Sequence, residues 1–221
     1  MTGQARQIAV EAHGDQKYGA DRPYVVHLDA VDTICTTHGY TDETTRSGAY
    51  LHDVLEDTAL TTKELFGLGM SQDVVSVVLF CTDEPGPNRK TRKMLTYRRI
   101  RGLLDAQLAH GTLPRWLIAA VRVKLADRLA NIHACFGGDR ADLFQMYKKE
   151  QAAFREALHV PGICDTMWAE YDRLLATPPE GLDRAIRARG QVAGFARAYG
   201  GARPDGSEAW TEKDAVDGGT P

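Results

Sequence analysis

Residues 51–60 read LHDVLEDTAL, and this stretch decides how the chain is understood. Leu51, Val54 and Leu55 form an apolar face at helical spacing. His52 and Asp53 are adjacent, and Glu56 and Asp57 follow Asp53 at i+3 and i+4, positions that share a helix face. One helix running through residues 42–55 and on into this turn is therefore predicted. Three carboxylates around one histidine repel each other unless something positive sits among them. A divalent metal ion answers that need.

Outward from this turn, helical patterning dominates. Residues 2–13 and 25–38 mix apolar and polar positions with helical period, separated by turn residues at Gly14, Gly19 to Pro23 and Gly39 to Thr41. Thr61 to Glu64 reads as a capping box opening a short helix that stops near Gly67. The Val-rich run 71–82 is ambiguous by period alone. Ser71 as a cap and Asp73 in the first turn favour a helix. A loop is expected at 83–88 and further helices at 90–109, 114–133, 140–157 and 163–176. Little argues for a sheet, so the expected fold is all-α, a single helical bundle over residues 1–177. Pro178-Pro179 marks a boundary, 180–199 fits one more basic helix within a 178–200 appendage, and 201–221 has a disordered composition.

Composition narrows the function. At 221 residues, 43% hydrophobic and with a net charge of −3, the chain suits one water-soluble domain. That balance offers no footprint for nucleic acid or a membrane surface, and no apolar run approaches a membrane span. Four scattered cysteines without a CxxC pair read as reduced thiols, which places the protein in the cytoplasm. Oligomeric state is not legible. No phosphate-binding GxxxxGK[ST] loop or dinucleotide glycine fingerprint occurs.

Two further segments supply candidate ligands. His27 lies in RPYVVHLDAV, and Asp127 in VRVKLADRLANI, where Lys124, Asp127 and Asn131 fall on one helix face. His27, His52, Asp53 and Asp127 make a mixed nitrogen and oxygen set suited to Mn²⁺, Fe²⁺, Co²⁺ or Zn²⁺. Glu56 and Asp57 cannot all be strong ligands of the same ion, so at least one should orient water or a ligand. Residues 88–101, NRKTRKMLTYRRIR, carry seven basic residues and no acid. Such a run is either a solvated face or a surface for a polyphosphate, with Arg92, Lys93 and Arg99 within reach.

The order H, HD, D on successive helices resembles the HD-domain metal phosphohydrolases. AHGDQKYGADRPYVVH, AYLHDVLEDT and VKLADRLAN look like the hydrolase domain of the RelA/SpoT alarmone enzymes and their small stand-alone relatives. The match runs from about Ala12 to Asn131, and more loosely to Leu175. The resemblance implies a Mn²⁺-dependent hydrolase removing the 3′-diphosphate of (p)ppGpp, a small nucleotide. It also implies His27, His52, Asp53 and Asp127 as metal ligands, Glu56 and Asp57 as the catalytic pair on the attacking water, and Asn131 as a nucleotide contact. His13 matches a family position that packs near the site.

One departure stands out. Where the alarmone hydrolases carry an Arg-Lys pair before Pro-Tyr, this chain has Tyr18-Gly19. The family arginine stacks on guanine, and Tyr18 would stack in its place, with Lys124, Arg92 and Lys93 facing the phosphates. That substitution leaves the base open. Two other readings stand beside (p)ppGpp hydrolysis: an HD phosphatase acting on ppApp, NADPH or a nucleoside monophosphate, and a non-catalytic metal-binding regulatory module.

Overall fold

The computed structural model describes residues 1–136 and 140–177. The described chain is a helical bundle with one minute hairpin. In order the elements are α1 (Thr2–His13), β1 (Lys17–Tyr18), β2 (Arg22–Pro23), α2 (Val25–Thr37), α3 (Glu43–Leu51), α4 (Val54–Asp57), α5 (Thr62–Gly67), α6 (Gln72–Cys81), α7 (Arg89–Ala109), α8 (Arg115–Phe136), α9 (Ala141–Leu158) and α10 (Asp165–Ala176). The expected boundary, appendage and tail beyond residue 177 lie outside the described residues. No described helix is long and apolar enough to cross a membrane.

Local chemistry accounts for the helix starts. Asp42 accepts from the Thr45 amide, Ser71 from that of Val74 and Asn88 from that of Thr91. The capping box at Thr61 and Glu64 is present in both directions. Each cap satisfies a backbone N–H that the first turn leaves without a partner.

Helix α8 is the hub. It packs against α2, α3, α6, α9 and α10, and buries Leu117, Val121, Leu125, Leu129 and Ile132 along its length. At 22 residues it spans about 33 Å, long enough to carry both core contacts and the Asp127 site. A second apolar cluster joins α1 to α3, α5 and α6 through Ile8, Leu51, Leu65 and Val78. Helices α3 and α6 meet closely at Gly48, where a Cβ would come within 2.5 Å of Val77 Cγ1. Only glycine lets the two backbones approach that far without displacing Val77.

The structure corrects two expectations. Residues 42–57 are not one continuous helix: α3 stops at Leu51, the chain turns at His52 and Asp53, and α4 is a single turn. Asp53 leaves regular helical geometry at φ −102°, ψ −7°. On an unbroken helix adjacent residues diverge by about 100°, so His52 and Asp53 would point apart. The break brings both toward one point. The second correction is the antiparallel pairing of Lys17 with Pro23 and Tyr18 with Arg22. Gly19, at φ +71°, takes the left-handed turn that closes it.

Candidate metal centre

Four elements converge where α2, α3, α4 and α8 meet. His27 lies in the first turn of α2, behind the hairpin. His52 and Asp53 occupy the break between α3 and α4, and Asp127 sits midway along α8. His27 Nε2 lies 3.3 Å from His52 Nε2 and 3.3 Å from Asp127 Oδ1. Asp53 Oδ2 is 2.9 Å from His52 Nε2 and 3.5 Å from His27 Nε2. His27, His52 and Asp53 each offer a ligand atom within 4.8 Å of the others. Asp127 Oδ1 is 3.8 Å from His52 Nε2. Both histidines are buried.

The donor set fits a divalent cation on chemical grounds. His52 Nδ1 donates to the Ala49 carbonyl at 2.8 Å, because a carbonyl can only accept. That contact leaves Nε2 free to offer a lone pair in the neutral ring. The centre also favours positive charge. Burial pushes the His27 pKa down, but hydrogen bonds to Asp127 and Asp53 outweigh it and raise the value to about 9. Burial likewise opposes ionisation of Asp53 and Asp127, yet His52 and His27 hold both carboxyls well below the usual range. Two half-buried carboxylates beside two imidazoles are a donor set that suits a divalent cation.

The HD domain family matches residues 5–156, more than two thirds of the chain.

The chain belongs to the HD-domain family.

Similar proteins extend the comparison. Guanosine-3′,5′-bis(diphosphate) 3′-pyrophosphohydrolase MESH1 of Xenopus tropicalis is 33% identical over 132 residues, which cover 58% of this HD-domain chain and 66% of that protein. GTP pyrophosphokinase rsh of Brucella abortus is 33% identical over 132 residues, 60% of this chain and 16% of that one. The chain thus spans just under two thirds of the first and a small part of the second. A solved structure described as a metazoan ortholog of SpoT that hydrolyses ppGpp superposes with a TM-score of 0.62 at 24% identity, covering 79% of this chain and 93% of that one. That likeness is one of fold.

Around the HD-domain centre runs a ring of polar contacts that the sequence pattern did not disclose. Tyr24 donates its hydroxyl to Asp53 Oδ2 at 2.6 Å, and its ring stacks on His13 at 4.3 Å between centroids. His13 Nδ1 meets Gln16 Oε1 at 2.8 Å, and Gln16 Nε2 donates to Asp57 Oδ2 at 3.1 Å. Segment 13–24 therefore touches both Asp53 and Asp57. The only signal in the sequence was the position of Tyr24 directly before the His27 helix.

Tyr18 is placed differently from a free stacking platform. Its ring stacks on His27 at 4.8 Å and 22°, and its hydroxyl donates to Asn131 Oδ1 at 3.1 Å. Asn131 Nδ2 in turn donates to Asp127 Oδ1 at 2.6 Å. Tyr18 and Asn131 therefore brace two of the converging side chains. Beyond them, a cavity of about 510 Å³ opens between Tyr18, Arg22, Asn131, Arg140 and Leu143. Its volume lies within the range of small-molecule pockets.

Glu56 and Asp57 lie on the exposed side of α4. Glu56 Oε1 accepts the Asp83 amide at 2.6 Å. Lost hydration around its carboxyl raises the Glu56 pKa, Asp83 and Asp53 add to the rise, and Lys124 opposes it. Asp83, which the sequence marks only as the start of a loop, holds Lys93 Nζ at 2.7 Å. Lys124 is buried, donates to the Cys81 carbonyl at 2.5 Å and lies 3.8 Å from Asp83. Lys93 is thus turned toward Asp83, and Lys124 lies near both Asp83 and Glu56. Arg92 is exposed on α7. Arg99 is committed to the Phe80 and Thr82 carbonyls and to Glu84, at the end of α6.

Proposed function

We propose that this HD domain is a Mn²⁺-dependent pyrophosphohydrolase that removes the 3′-diphosphate of (p)ppGpp or a close relative, releasing pyrophosphate. One observation carries the reading. Two histidines and two aspartates converge at the break between α3 and α4, with Glu56 and Asp57 one turn away. The names borne by the similar proteins, a guanosine-3′,5′-bis(diphosphate) 3′-pyrophosphohydrolase and a GTP pyrophosphokinase, point to the substrate class.

In this account His27, His52, Asp53 and Asp127 hold the metal. When bound, a divalent ion supplies Lewis acidity at the phosphoryl group and makes water nucleophilic near neutral pH. Glu56 takes the proton of the attacking water, its carboxylate anchored on the Asp83 amide. Asp57, held by Gln16, orients that water. Lys93 and Lys124 offset the charge of Asp83 and keep a carboxylate cluster tolerable beside a polyanionic substrate. The nucleoside occupies the cavity between Tyr18, Asn131 and Leu143, where Arg22 and Arg140 face its phosphates. Four buried free cysteines support a reducing, cytoplasmic setting.

A substrate panel tests the reading. Metal-stripped protein reloaded with Mn²⁺ is incubated with ppGpp, ppApp and NADPH, and products are separated by anion exchange. Pyrophosphate from ppGpp or ppApp supports it, and the preferred base reports what the Tyr18-bounded cavity accepts. Orthophosphate from NADPH, with no pyrophosphate from either alarmone, would replace it with a phosphatase.

A further inference from the structure

A second cavity, lined by none of the four side chains that converge at the metal centre, lies in the groove where α7 packs beside α9. It measures about 920 Å³ and shares no lining residue with the cavity beside Tyr18. Its walls carry six lysines and arginines against two glutamates, in a chain whose net charge is −3. Three of the cations are already committed. Arg89 is paired with Glu150, Lys93 with Asp83 and Arg101 with Asp105. Lys90, Arg98 and Lys149 are exposed and have no ion pair or hydrogen bond among the described residues.

This groove is concave, and among its charged side chains it is lined by Met94, Gly102, Ala153 and Ala157. Met94 is 60% exposed, the most open of the large hydrophobic side chains described. Apolar lining residues beside unpaired cations match a flat ring bearing phosphates, because the ring can cover the apolar side chains while the phosphates meet the cations.

We propose that the α7–α9 groove is a second ligand site, separate from the metal centre, that takes a nucleotide. The base lies over Met94 and Ala153, and the phosphates are held by Lys90, Arg98 and Lys149. This assignment does not depend on the reaction at the HD centre.

The test uses the full-length, metal-stripped protein labelled with ¹³C at methionine methyl groups. Met94 reports the groove, and the buried Met70 and Met167 report the fold in the same spectrum. Titration with GTP is expected to move the Met94 methyl saturably. In the Arg98→Glu/Lys149→Glu variant the same shift should require at least about tenfold more GTP, given the strength of charge-assisted hydrogen bonds, with Met70 and Met167 unmoved. Inorganic triphosphate should bind more weakly than GTP, since it cannot cover the apolar side chains. A Met94 methyl that stays fixed as GTP is added would overturn the proposal. So would equal GTP affinity in the charge-reversed variant, or equal affinity for GTP and bare triphosphate.

Discussion

Tyr24, at the entry to α2, donates its hydroxyl to Asp53 Oδ2 at 2.6 Å, across 29 residues of sequence. The contact fixes one carboxylate of the centre from outside the four converging side chains. Such supporting contacts set ligand orientation, and their loss typically weakens metal binding by roughly 10–100-fold. Tyr24→Phe keeps the ring stacked on His13 and removes only the donor. Calorimetric titration with Mn²⁺ should show that loss with thermal stability nearly unchanged. Unaltered affinity would make the hydroxyl incidental.

Glu56 sits beside the centre, and its carboxyl is anchored on a backbone amide rather than on the converging side chains. Glu56→Gln should therefore retain the metal while turnover falls by roughly 10²–10⁴-fold, the usual range for loss of a general base. Metal content by atomic spectroscopy and initial rates, measured on one preparation, separate the two effects. A rate within a few-fold of the parent would remove Glu56 from proton transfer.

Glu150 links the buried Arg128 of α8, at 3.0 Å, to Arg89 of α7. Burial favours the neutral acid, but the charges of Arg128 and Arg89 prevail and hold its pKa below the ordinary glutamate value. The tyrosine hydroxyl of Tyr97 also faces Arg128, at 3.0 Å. Glu150→Ala strands a buried guanidinium and should cost about 3 kcal/mol in urea unfolding at pH 7. Because the folded pKa is depressed, the stabilisation is full above about pH 4.5 and fades as pH drops through the folded value. The gap between parent and variant should accordingly narrow in acid. A gap that is constant with pH would assign the loss to packing alone.

Gly48→Ala tests the close approach of α3 to α6. The added methyl would lie 2.5 Å from Val77 Cγ1, and overpacking of this kind costs typically about 1–3 kcal/mol. Paired with Val77→Ala, which makes room, the loss should be smaller than the sum of the two single changes. Strict additivity would mean that the clash is relieved elsewhere.

Much of this architecture was legible in the residues. Ser71 and the Thr61–Glu64 box mark helix starts by the hydrogen bonds they can make, and the helices follow. His27, His52, Asp53 and Asp127 announce themselves as titratable groups set in apolar helices. The break at Asp53 was not legible, since spacing treats a helix as unbroken and cannot show a backbone rotating two neighbours toward one point. Tyr24, Gln16 and Asp83 escaped because their importance lies in contacts made 27 to 41 residues away. Lys124 was read as facing a substrate, but its amine turns to the Cys81 carbonyl, a direction that helix periodicity cannot specify.

The most direct test compares the parent with Asp53→Ala for pyrophosphate release from ppGpp, before and after metal stripping and Mn²⁺ reloading. The parent should yield GDP and pyrophosphate, stop when stripped and recover with Mn²⁺, while Asp53→Ala should neither hold the ion nor turn over. Pyrophosphate release that survives both stripping and the loss of Asp53 would contradict it, as would a metal-loaded parent that leaves ppGpp intact.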